Sequence, residues 1–132
     1  MIEHTADVGV RATGDSLADL FHEATLGMLE ITGAGTGRSS GQSAGIAFDD
    51  APDLGALLVD WLSEILYLQD AHDVIIGEVT ISSVDPTSVR GRVITYPRDR
   101  PIEGTAVKAV TLHQLVVEQR DEVWTAQVFF DI

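Results

Sequence analysis

Residues 74–84, VIIGEVTISSV, then DPTS at 85–88 and VRGRVITY at 89–96, decide the fold. Two runs rich in Val, Ile and Thr flank a short Asp-Pro turn, which predicts antiparallel strands joined by a hairpin. Downstream, a Pro/Arg/Gly segment (Pro97–Gly104) precedes a third strand over Val107–Gln119. The tight turn Arg120-Asp121-Glu122 leads into a fourth over Val123–Ile132. Short turns between consecutive strands require antiparallel pairing.

Upstream, the period changes. Val8, Val10 and Ala12 alternate with Asp7, Gly9, Arg11 and Thr13, a half-buried strand closed by Gly14-Asp15. Ser16-Leu17-Ala18-Asp19 has the form of a capping box with Asp in the Glu position. Leu17, Leu20, Phe21, Ala24, Met28 and Ile31 then recur at helical spacing as far as Gly33. The glycine-rich stretch 33–42 follows a helix and lacks a Gly-Lys-Ser/Thr ending, so it is read as a surface linker and not a phosphate loop. Ala44–Asp49 is a short strand, and Asp50–Asp53 opens a second helix. The wide stripe of that helix (Leu54, Leu57, Leu58, Trp61, Leu62, Ile65, Leu68) needs a flat partner such as a sheet. The order strand, helix, strand, helix, four strands is α+β. The expectation is a two-layer sandwich: one mostly antiparallel sheet with two helices on one face, in a single domain over 1–132.

Composition narrows the function. At 132 residues and 45% hydrophobic content the chain supports a core without staples. No apolar run reaches the roughly 18 residues that span a bilayer, and the first residues lack a signal peptide's basic and apolar regions. There is no cysteine, hence no disulfide, thiolate nucleophile or zinc–cysteine site. A cytoplasmic location is expected, without membrane association. The net charge of −13 repels phosphate backbones and favours a basic partner or divalent cations. Arg90, Arg92, Arg98 and Arg100 cluster without an aromatic ladder, and are read as a solvated strand face. Lys108 is the one lysine, a compact point charge suited to phosphate or carboxylate groups.

The acids and bases form no metalloprotease, nucleophile-elbow or Cys–His pattern. His22 and His72 read as structural or solvated, whereas His4 and His113 sit in denser motifs. The strand-like ending Val128-Phe129-Phe130-Asp131-Ile132 brings the terminal carboxylate within one residue of the Asp131 carboxylate. Two such anions at 4 Å repel by roughly 4 kcal/mol at an effective dielectric near 20, and a bound cation removes that cost. Fraying of the last two residues into water is the plainer alternative. Pairing across the Arg120–Glu122 turn leaves two registers open. Gln119 opposite Val123 puts Asp131 across from Thr111, on the face of His113. A two-residue turn puts it on the face of Lys108.

Four blocks, HTADVGVRA at 4–12, LLVDWLSEILYL at 57–68, GTAVKAVTLH at 104–113 and VFFDI at 128–132, resemble in order the archease family. That resemblance implies an accessory protein, itself not an enzyme, for the GTP-dependent RtcB-type RNA ligase of tRNA splicing. It would promote guanylylation of the ligase and multiple turnover, meeting RNA only through the ligase. It implies a metal site of Asp7, the Asp131 side chain and Ile132 through its terminal carboxylate, with Lys108 contributing to ligase activation. Oxygen-only ligation suits hard cations, Ca²⁺ first, with Mg²⁺ or Mn²⁺ as alternatives. His4 and His113 are second-tier candidates, supporting a ligand or the fold before binding metal. Two features depart from the family: only Met1-Ile2-Glu3 precedes the first motif, and Leu112 stands where an aromatic is common. The competing readings are a metal-dependent phosphohydrolase and a chaperone-like binding module. Oligomeric state is left open.

Overall fold

A computed structural model describes residues 7–36, 40–99 and 104–132. The elements in order are β1 (Asp7–Gly14), α1 (Leu17–Thr32), β2 (Gln42–Phe48), α2 (Leu54–Ala71), β3 (Val74–Val84), β4 (Val89–Pro97), β5 (Ala109–Val110), β6 (Val116–Arg120) and β7 (Val123–Asp131). The α+β class and two-helix layer stand as expected. The strand layer is two antiparallel sheets instead of one. In the first, β7 is central, with β1 on one side and β5 and β6 in succession on the other; the second runs β2-β4-β3.

Both helices start where the capping residues place them. The Ser16 hydroxyl accepts from the Asp19 N–H at 3.1 Å, and Asp53 Oδ1 accepts from the Ala56 N–H at 2.8 Å. Each cap satisfies a helix-start donor that lacks an intrahelical partner, worth about 1 kcal/mol. Gly33 ends α1 at φ 96°, a conformation a side chain would oppose, and its N–H caps the Leu29 carbonyl.

Alternation along the strands then decides what the helices cover. Ala12, Ala126, Val128 and Phe130 of the first sheet are buried, as are Ile46, Ile76, Val79, Val89 and Val93 of the second. All join one core with Leu20, Phe21, Met28, Leu57, Leu58, Trp61, Leu62 and Ile65. α1 lies against β1, β7 and β3, and α2 against β2, β3, β5 and β6, so each helix bridges both sheets. The helices are joined by a buried polar link: Trp61 Nε1–H donates to Thr25 Oγ1 at 2.9 Å, and that hydroxyl donates to the Phe21 carbonyl at 2.6 Å. Neither helix is long and apolar enough to cross a membrane.

The expected strand Val107–Gln119 is the main departure. Ala109 pairs with Asp131 while Val116 pairs with Gln127, so seven steps on one strand span four on the other. Three extra residues are accommodated by a turn over residues 111–115. Thr111 donates from both its N–H and its Oγ1 to the Phe129 carbonyl, each at 3.0 Å. Its Oγ1 accepts from the His113 N–H at 3.3 Å, and Gln127 Nε2 donates to the Gln114 carbonyl at 3.0 Å. Gln114 takes φ 49°. Side-chain bonds to the backbone thus break a segment whose pattern reads as continuous strand.

Candidate functional site

The outer face of the first sheet follows from the same alternation. With Val10, Ala12, Val128 and Phe130 turned to the helices, the odd-numbered residues of β1 and β7 face away from them. Asp7 is directly opposite Asp131, Gly9 opposite Phe129, and Arg11 opposite Gln127. Directly opposed residues hold their Cβ atoms about 4.5–5.5 Å apart, so Asp7 and Asp131 are neighbours on one face. Asp7 is exposed and Asp131 half-buried. Neither carboxylate has a hydrogen-bond or ion-pair partner among the described residues.

The register left open by the sequence is settled by the turn at 121–122. Arg120 pairs with Val123, and Asp121 and Glu122 take φ 52° and 67°, the left-handed pair a two-residue hairpin turn requires. Unbroken pairing from there would put Asp131 opposite Leu112. The three-residue insertion instead moves it opposite Ala109. The Lys108 N–H donates to the Asp131 carbonyl at 2.7 Å, so the backbone of the only lysine is clasped to the backbone of the acid. Lys108 is exposed, and its ammonium has no ion pair among the described residues.

Ile132 follows the last residue of β7, and its side chain packs half-buried against the core. That packing, absent from any compositional argument, holds the residue that follows Asp131. His113 is not beside the carboxylates: its ring meets Phe129 edge-on, centroids 6.0 Å apart, one row along the face. His4 lies outside the described residues. Of the bystander histidines, His72 caps α2 and meets the Tyr67 ring edge-on, and His22 is half-exposed beside Glu23. Arg90 and Arg92 do share an exposed strand face, where Arg90 pairs with Asp49 at 2.7 Å and Arg92 donates to Ser43 Oγ at 2.7 Å.

Sequence reasoning missed the row beside the acids. The Phe129 ring leans over Gly9, where an added Cβ would lie 2.9 Å from Cε1. Next along, Arg11 Nε donates to Gln127 Oε1 at 3.2 Å, which ties β1 to the turn that Gln127 also holds. The signal for both was the alternation of strands β1 and β7, readable once their pairing is known.

Chemically, the end of this sheet offers two adjacent carboxylates with no donor to neutralise them among the described residues, a donor set of hard oxygens that fits a divalent cation. No three His, Cys, Asp or Glu side chains form a metal-binding group among the described residues.

The comparisons agree with this architecture. The model of the Archease protein family matches residues 1–132. Protein archease of Methanosarcina acetivorans is 36% identical over 138 residues, covering 99% of this chain and 93% of its own length. That of Thermococcus gammatolerans is 30% identical, covering 98% and 95%. Among solved structures, an archease from Thermotoga maritima, described as a possible chaperone, superposes with a TM-score of 0.70 at 26% identity, covering 100% of this chain and 95% of its own. The solution structure of Methanobacterium thermoautotrophicum protein 1598 gives 0.72 at 26% identity, covering 99% and 96%. With its whole length matched and its sheet and helix layers reproduced, the chain belongs to the archease family.

Proposed function

We propose that this chain is a non-catalytic, cytoplasmic accessory protein of a GTP-dependent RtcB-type RNA ligase of tRNA splicing, and that it works from the β1–β7–β5 end of the first sheet. The observation that carries the reading is the register: Asp7 stands across from Asp131, and the Lys108 backbone is bonded to Asp131. Asp7, Asp131 and the main-chain carboxylate of Ile132 would hold a divalent cation, Ca²⁺ in first place. When bound, the cation offsets the repulsion of the acids and adds a positive centre able to meet phosphate oxygens. Lys108, whose backbone N–H is bonded to the Asp131 carbonyl, would add a mobile ammonium with three donors and no fixed direction. A rigid sheet end carrying both charges can orient phosphate groups in the ligase's nucleotide site, contributing position and electrostatics. The chain's own task is to hold these groups still; the bond-making residues belong to the ligase.

The test is multiple-turnover ligation. With GTP and this protein, ligated RNA per ligase molecule rises above one, falls back under chelator, and recovers with added metal. An active ligase showing no rise overturns the proposal. Phosphate release from GTP or phosphomonoesters by the isolated protein would instead favour a hydrolase.

A further inference from the structure

Leu112 is 70% exposed, the most exposed of the five large apolar residues at the surface among those described. A lone exposed leucine is ordinary. Two observations set this one apart. It is held in a turn with little freedom, because Thr111 is bonded twice to Phe129, His113 N–H to Thr111, Leu115 N–H to Leu112, and Gln114 to Gln127. The His113 ring also rests on Phe129. And two of the other four exposed apolar residues, Val116 at 37% and Val123 at 39%, lie on β6 and β7 of the same sheet, with Val116 opposite the outward-facing Gln127.

We propose that Leu112 is an apolar anchor that enters a pocket on a positively charged partner protein, an inference that rests on the function proposed above. A backbone already fixed by its turn loses little freedom on docking, which favours a binding hot spot. The chain's net charge of −13 selects a basic partner surface around that pocket. Leu112 lies four residues from Lys108, across a turn bonded to the same strand as Asp131. Seating the leucine therefore brings the lysine and the acids to the same part of the partner. Leu112 governs affinity, and the charged groups govern what happens once docked.

The experiment measures binding of this protein to the intact ligase and, separately, RNA turnover as a function of its concentration. Leu112→Ser should weaken the Kd at least tenfold and raise the half-saturating concentration by the same factor, with the turnover plateau and melting temperature unchanged. Leu112→Met should stay within about twofold of the native protein. If the native protein binds and stimulates but Leu112→Ser matches its Kd, or lowers only the plateau, the anchor is refuted while the proposed function stands. If the native protein neither binds nor stimulates a demonstrably active ligase, the proposed function itself fails, and the anchor has no such partner.

Discussion

Replacing Asp131 by Asn keeps the shape of β7 and removes one of two facing carboxylates, so its effect on stability should change sign with metal. Without metal, native Asp7 and Asp131 repel across the β1–β7 pair. At about 5 Å that repulsion is roughly 0.8 kcal/mol in a water-like medium and ~3 kcal/mol at an effective dielectric of 20. Asp7 is exposed, so the lower figure governs. Unfolding entropy of ~2.1 cal/mol/K per residue makes 1 kcal/mol worth about 3–4 °C for a chain of this length. Asp131→Asn should therefore melt a few degrees above the native protein in chelator. With Ca²⁺ at a hundredfold excess over its Kd, the native protein gains about 2.7 kcal/mol, or roughly 10 °C, and the variant little. The two melting temperatures should exchange order between chelator and calcium in a calorimetric scan. A variant that melts lower in chelator and gains from calcium as much as the native protein would refute both the pairing energetics and the cation assignment.

Two further outcomes test the scaffold. Thr25→Val removes the acceptor of the buried Trp61 N–H and should cost about 1–3 kcal/mol in denaturant unfolding, with the slope against denaturant unchanged. In the β3–β4 turn, the Ser88 hydroxyl and the Thr87 N–H hold the Asp85 carboxyl below its usual range. A lowered folded pKa stabilises above the unfolded value and loses that contribution as pH falls through the folded one. The stability gap between native protein and Asp85→Ala should thus be constant from neutral pH down to about 4, then narrow.

Much of this fold is written locally. Ser16 and Asp53 mark helix starts because their side chains bond backbone N–H groups three residues on, an interaction that needs no tertiary partner. The hairpin at 85–88 is likewise self-contained, with Asp85 accepting from Thr87 and Ser88. The break at 111–115 was not legible, because no Gly or Pro announces it. Thr111 and Gln114 leave the strand only once Phe129 and Gln127 of β7 are beside them. The same insertion moves Asp131 from Leu112 to Ala109, so the residues of the candidate site could be named from sequence while their juxtaposition could not. Division of the strand layer into two sheets also escaped, since the helix stripes require a flat apolar surface and do not specify whether it is continuous.

The most direct measurement is a crystal structure grown with calcium. The account predicts one ion at the end of β7, with oxygens of Asp7, Asp131 and Ile132 at about 2.3–2.6 Å. Well-ordered carboxylates pointing apart, with no ion between them, would contradict it.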